Sequence, residues 1–393
     1  MLDYAPNRVA RERARRAQRV EVASIVRRLD WVLLATVAAL VGYGLWAIAG
    51  ITKHDVDGAP DYFVTRQSIF LALGTVGLLA ALAVDPAQLR RLYRPFFGVT
   101  VGLLLVVFLM GSLVRGSRRW IDLGPFQFQP SELGKVLIVV FLAGFLAERG
   151  KRVRELNTVL TAVGLGLVPT VLVFLQPDFG TSLVYVAATA AALFFAGARW
   201  LHLAVLGTLA TGAAIALLWG LPAAGVEVLK PYQAARLTAF ADPGSDPRSA
   251  TYQINQSILA VGAGGLEGRG VDGATQTSLD YLPEHETDFV FASLAEQRGF
   301  LGASILLGLY LLLLWRGLRI IPSVRDSFSA IVAGSIVFAL LFQIFVNVGM
   351  TMGIAPITGI PLPFVSVGGS SLIGNLLAMG VLLSIGARSR ARG

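Results

Sequence analysis

The chain has 393 residues, 55% of them hydrophobic and 15% charged, which leaves too little polar surface for a soluble domain of this size. The 43 Gly follow no G-X-Y period, the absence of Cys excludes disulfides, thiolate metal sites and cysteine nucleophiles, and three His argue against a His-rich metal centre. The net charge of +9 does not indicate nucleic acid, because the basic residues sit in short loops between apolar segments, where charge sets membrane orientation.

In chain order, residues 1–30 hold eight Arg and four acidic residues ahead of an apolar stretch at 31–51. A secretory signal has a similar order, but this basic region is long and no small-residue cleavage site follows. A retained first helix behind a basic cytoplasmic tail is therefore predicted. The tail reads as a topology signal attracted to lipid headgroups, with partner docking as the alternative. Further apolar segments lie at 63–84, 95–114, 131–148, 156–175, 181–198, 201–220, 289–314, 328–346 and 364–386, ten in all. Each is close to the roughly 20 residues a membrane helix needs. An even number of crossings puts both termini on one side, and placing them in the cytoplasm gathers 22 of the 33 Lys and Arg there, including the short basic end at 387–393. The fold class predicted is an all-α integral membrane protein of about ten transmembrane helices, spanning 31–386. A large extracytoplasmic loop, 221–288, separates helices 7 and 8. This loop carries four Lys/Arg against nine Asp/Glu. Within it, Tyr252–Ala260 can form a short amphipathic helix against the membrane surface, and the glycine-rich stretch 262–270 offers a backbone that other groups can approach closely.

Charges inside spans are costly and need a reason. Glu132 and Lys135, in Gln129-Pro-Ser-Glu-Leu-Gly-Lys135, sit at i and i+3 at the outer end of the fourth span, hence on one face. They form either a structural ion pair or a polar site facing a cavity. Other polar groups recur at the same depth. Arg118-Arg119-Trp120 precedes the fourth span, and Gln176-Pro-Asp178-Phe-Gly180 fills the turn between spans five and six. Gly368-Gly-Ser370-Ser371 opens the last span. Turn chemistry explains the second of these by itself. The third can bind an anion such as a phosphate at a helix start, or serve close helix packing. In Leu282-Pro-Glu-His-Glu-Thr-Asp288, three carboxylates and a His end the acidic loop where the eighth span begins. A carboxylate partly desolvated there is a candidate general base; a hydrated loop with Asp288 as helix cap is the alternative.

Together with Asn347-Val-Gly-Met350 and Thr358-Gly-Ile-Pro-Leu-Pro-Phe-Val-Ser366, these motifs resemble the SEDS family (shape, elongation, division and sporulation proteins) over about residues 30–390. The Ile360-Pro-Leu-Pro-Phe364 run is more similar to its rod-shape, elongation-type branch than to its division branch. The resemblance implies a peptidoglycan glycosyltransferase of the bacterial plasma membrane. Such an enzyme polymerises lipid II into a growing glycan strand outside the cell by an inverting β-1,4 transfer, with a class B penicillin-binding protein as transpeptidase partner. It places the family's essential acid on Asp288, and the conserved pair of the fourth span on Glu132 and Lys135. Asp178 and Gln176 come from the Gln-Pro-Asp turn. Lys135, Arg119 and the helix start at Ser370 and Ser371 are then candidates for the leaving diphosphate. A divalent cation (Mg or Mn) bridging that diphosphate fits the chemistry, and no organic cofactor is implied. Three positions depart from the family pattern: His285 is shifted by one within Glu284-His-Glu-Thr-Asp288, Glu296-Gln replaces Glu-Glu, and Val367 replaces Tyr. A flippase for the lipid-linked precursor and a noncatalytic scaffold for a transpeptidase are the competing functions. The gathering of polar residues toward the outer face argues against the first.

Overall fold

The computed structural model describes residues 26–114, 117–122, 124, 126–216 and 250–389. Most of the basic tail, the first half of the long loop (to residue 249) and residues 390–393 lie outside the described residues. Each of the ten expected spans holds a helix: α1 (Trp31–Ile51), α2 (Tyr62–Ala83), α3 (Tyr93–Met110), α4 (Pro130–Arg149), α5 (Leu156–Leu175), α6 (Phe179–Phe195), α7 (Trp200–Ile215), α9 (Val290–Ile320), α10 (Ser327–Thr351) and α11 (Gly369–Ser389), with α8 (Ala250–Ala263) in the long loop. The third stops short of 112–114, the last starts after 364–368, and 217–220 of the seventh lie outside the described residues. Eight of these are long and apolar enough to cross a membrane, while α6 and α7 are apolar but shorter. At 1.5 Å per residue, the 17 residues of α6 reach about 26 Å, a little under a typical hydrocarbon core.

Local chemistry sets the helix boundaries. Asp30, Asp178 and Asp326 cap α1, α6 and α10, each accepting from a backbone N–H three residues on. Pro130 occupies the first turn of α4, where its missing N–H costs nothing. At the other end of α2, the Arg388 guanidinium donates to the free carbonyls of Leu82 and Ala83. Asp30 also accepts from Arg316 at 2.6 Å, fastening the start of α1 to α9.

The helices α4, α10 and α11 form the interior, and α2 and α3 turn most of their surface outward. Small residues let the interior close. A Cβ on Gly380 would stand 2.3 Å from the Leu78 carbonyl, so α11 meets α2 backbone to backbone. A Cβ on Gly374 would stand 3.0 Å from the Glu132 carbonyl, so α11 also comes close to the α4 backbone.

Two features depart from a plain helical bundle. The segment between α3 and α4 forms a small antiparallel sheet, β1 (Ser112–Val114), β2 (Ser117–Asp122) and β3 (Gln127–Phe128) in that order. Asp122 and Gly124 turn the chain between β2 and β3, the carboxylate accepting from the Gly124 N–H. The second is a break in α9 at Gly299, whose φ of +63° interrupts the helix. The glycine-rich stretch fills this break. Arg269 and Gly270 donate to the carbonyls of Glu296 and Gln297, and Phe300 and Leu301 donate to those of Gly265 and Leu266. The approach is close enough that a Cβ on Gly268 would fall 2.3 Å from the Gln297 oxygen. The amphipathic helix α8 packs its buried Ile254 and Ala260 with Leu282, Phe289 and Ala292, while Ile258 and Leu259 stay exposed.

Candidate functional site

At the outer end of α4, Lys135 Nζ lies 2.8 Å from Glu132 Oε2 and donates to Gln343 Oε1 of α10 at 3.0 Å, all three side chains being buried. A small cavity of about 30 Å³ lies among Glu132, Lys135, Gln343 and Asn375, room enough for a water molecule. One turn before, Gln129 joins three elements: its side chain donates to Asp178 Oδ2 at 2.7 Å, and its backbone N–H donates to Ser370 Oγ at 2.9 Å. Arg119, on β2, comes within 3.7 Å of Asp178 Oδ1, a loose ion pair, and its Nε is buried without a hydrogen-bond partner. The sheet thus carries an Arg over the polar mouth formed by α4, α6 and α11.

Asp288 lies half-buried just ahead of α9. The backbone around it is held by three separate donors. Val367 N–H donates to the Glu286 carbonyl, Ser366 Oγ to that of Thr287, and Asn347 Nδ2 to that of Asp288. Asn347 donates as well to Ile360, and Gln67 of α2 donates to the Ser366 carbonyl. The irregular, turn-containing run 358–368 and the ends of α2 and α10 therefore fix where Asp288 stands. Asp288 does not line the cavity beside Glu132 and Lys135. The two groups are joined through α10 instead, where Gln343 reaches Lys135 and, one turn on, Asn347 reaches Asp288.

Next to this segment, His285 is buried with Nε2 3.1 Å from both Asp55 carboxylate oxygens and Nδ1 3.1 Å from the Leu282 carbonyl. Burial of the ring works against its charge, but the Asp55 carboxylate and Glu286 outweigh that and hold the His285 pKa above its ordinary value. Burial raises the Glu286 pKa, with Glu284 and Asp55 adding to it. Asp55, Asp280 and His285 can each bring one ligand atom within 4.8 Å of the others, an acidic and histidine cluster that could hold an ion by distance. Its chemistry fits a resident Mg or Mn poorly: both ring nitrogens already face acceptors, as in an imidazolium, and Asp280 is largely exposed.

Of the residues singled out from the sequence, Glu132, Lys135, Arg119, Asp178 and Ser370 come together at one end of the bundle. Gln176 turns the other way, donating to the Leu104 carbonyl of α3, and Ser371 accepts from Asn375 within α11. Of the residues that complete the network, Gln129, Asn347 and Ser366 stood in the quoted motifs without a role of their own, and Gln343 and Gln67 were not among them. Gln67, Gln343 and Asn347 carried a readable signal, since an amide inside an apolar helix needs a partner.

A family model described as "Cell cycle protein", covering FtsW, RodA and SpoVE, matches residues 28–391. Stage V sporulation protein E of Bacillus subtilis (strain 168) is 36% identical, covering 91% of this chain and 95% of its own. Peptidoglycan glycosyltransferase MrdB of Escherichia coli (strain K12) is also 36% identical, covering 91% and 93%. Among solved structures, a chain from a study of the structural coordination of polymerization and crosslinking by a peptidoglycan synthase complex superposes with a TM-score of 0.77 at 32% identity, covering 92% of this chain and 98% of that one. The rod shape determining protein RodA of Thermus thermophilus superposes with a TM-score of 0.67 at 29% identity, covering 91% and 96%. With the match running through every span and every motif of the outer network, the chain belongs to the FtsW/RodA/SpoVE family of cell cycle proteins.

Proposed function

We propose that the chain is a peptidoglycan glycosyltransferase that polymerises lipid II in bacterial cell-wall elongation, with Asp288 as the general base. The Asp288 carboxylate removes the proton from the acceptor sugar's 4-hydroxyl as that oxygen attacks the anomeric carbon of the donor. The bond from that carbon to the polyprenyl diphosphate breaks on the opposite side, and an α-linked donor becomes a β-1,4 product in one inverting displacement. The observation that carries the base assignment is the clamping of three successive carbonyls, Glu286, Thr287 and Asp288, by donors from two other elements. A base must stand within hydrogen-bond reach of its proton, and such anchoring keeps it there.

Arg119 supports a role at the leaving diphosphate, because its Nε is unpartnered and its ion pair with Asp178 is loose. Lys135, engaged by Glu132 and Gln343, would act from behind, holding α4 and α10 in register. Asp178 and Ser370 would shape the mouth of the site, with Gln176 and Ser371 behind it, engaged with α3 and within α11. A divalent cation arriving with the diphosphate would be held mainly by phosphate oxygens and not by Asp55, Asp280 and His285. A class B penicillin-binding protein is the partner proposed, supported by the superposition on a chain of a peptidoglycan synthase complex. The orientation proposed has both termini in the cytoplasm and Asp288 outside, supported by the placement of 22 of 33 Lys and Arg on the opposite side.

Asp288→Asn, reconstituted in liposomes with lipid II, tests the reading. It is expected to lose polymerisation by at least about a thousandfold while keeping the wild-type melting profile. Glycan chains made at the wild-type rate would remove Asp288 from the chemistry.

A further inference from the structure

At the end of the bundle opposite Asp288, the turns at 150–155 and 196–199 and the start of α10 enclose a cavity of about 1090 Å³. Lys151, Arg154, Arg199 and His202 line it beside a single carboxylate, Glu155. Among the described residues, neither Lys151, Arg154 nor Arg199 has a carboxylate within ion-pair distance, so three cationic groups share one concavity without internal neutralisation. His202 adds a buried Nδ1 with no hydrogen-bond partner. Such a set is built for an anion.

The same helices continue into a second, apolar cavity of about 510 Å³ between α5, α6 and α7, lined by Gly166, Thr170, Leu203, Leu206, Gly207 and Ala210 among others. His202 of the basic cavity and Leu203 of the apolar one are neighbours on α7, so the two adjoin. The apolar groove then follows α7 for about 10 Å into the membrane, at 1.5 Å per residue. At Gly207 it is open, with no atom within 4 Å of where a Cβ would stand. A basic pocket at the ends of the spans, beside an apolar groove between them, matches one kind of molecule in both charge and shape.

We propose that these two cavities bind an anionic diacyl phospholipid, with its phosphate among Lys151, Arg154, Arg199 and His202 and one acyl chain in the α5–α7 groove. The assignment of that lipid to the cytoplasmic leaflet rests on the orientation proposed above; the site itself does not.

The test is a titration of the purified full-length chain in detergent with phosphatidylglycerol and, in parallel, phosphatidylcholine, read by native mass spectrometry. Phosphatidylglycerol is expected to bind at least about tenfold more tightly. Each basic group near an anionic headgroup contributes on the order of fivefold, so the triple variant Lys151→Gln, Arg154→Gln, Arg199→Gln is expected to erase the preference. All three side chains are exposed, and its melting profile should match the wild type. Gly207→Phe, which fills open space, is expected to weaken phosphatidylglycerol binding several-fold and serves by itself if the triple variant does not fold. Equal binding of the two lipids overturns the proposal, as does an unchanged preference in the triple variant. Displacement by inorganic phosphate with no effect of Gly207→Phe would make this a free-phosphate site. Binding of a polyprenyl phosphate but not phosphatidylglycerol would assign the groove to that lipid instead.

Discussion

Burying Glu132 and Lys135 within α4 costs each charge several kcal/mol of hydration, which their 2.8 Å contact offsets together with the hydrogen bond that the ammonium donates to Gln343. Removing one partner leaves the other charged in an apolar interior. Glu132→Ala is therefore expected to destabilise the protein by about 3–5 kcal/mol. The double variant Glu132→Gln, Lys135→Met removes both charges at similar volume and is expected to restore most of that loss, read by thermal unfolding in detergent. If the pair also serves the site, as proposed, the double variant will be stable and yet slow in lipid II polymerisation. A stable double variant with wild-type activity would reduce the pair to packing. The comparison separates two meanings of a buried ion pair that sequence alone leaves open, since i,i+3 spacing places two charges on one face whatever they are for.

Among the elements, the spans were legible because they are set by apolar length, which is a local property. Helices such as α1 and α5 follow the apolar runs to the residue at both ends. What could not be read was how non-local partners use the loops. Nothing in residues 262–270 names the break at Gly299 as their target, although the glycines announce a close approach. Likewise, Asp288 could be picked out from its position before α9, whereas the donors that clamp it come from residues 59 and 79 positions further along the chain. The segment at 112–128 did not announce strands: its strands are short, its start was read as the end of the apolar run 95–114, and its pairing is between its own three pieces. The glycine-rich segment offers a direct check. Gly268 adopts a φ of +87°, and its Cβ would meet the Gln297 carbonyl. Gly268→Ala is expected to cost at least about 2 kcal/mol, combining left-handed strain with a contact that cannot relax without opening the α9 break. Gly262→Ala, in α8 with open space around its Cβ, is the matched control and should change stability by about 0.5 kcal/mol or less. Equal effects of the two substitutions in thermal unfolding would mean that the glycine stretch does not brace α9.

For the whole molecule, the decisive quantity is which way the bundle faces. Ten apolar helices return the chain to its starting side, and the charge distribution then selects an orientation: Arg90, Arg91, Lys151, Arg154, Arg199 and Arg325 lie at one end, while Glu132, Asp178 and Asp288 lie at the other. The positive-inside bias favours the cytoplasm for the first group, as in the orientation proposed above. The proposed polymerase, building wall outside the membrane, needs the second group outside, so the charge distribution and the proposed chemistry favour the same orientation. Because the chain has no Cys, single cysteines report topology without background. Asp57→Cys and Asp280→Cys, both at exposed positions near the Asp288 end, are expected to react with a membrane-impermeant maleimide in right-side-out vesicles. Arg91→Cys and Arg152→Cys, exposed at the opposite end, should react only after permeabilisation. The reverse pattern would place Asp288 in the cytoplasm, where it could not extend a glycan strand outside the cell. Labelling of all four positions in sealed vesicles would mean mixed insertion, which a charge bias of this size should prevent.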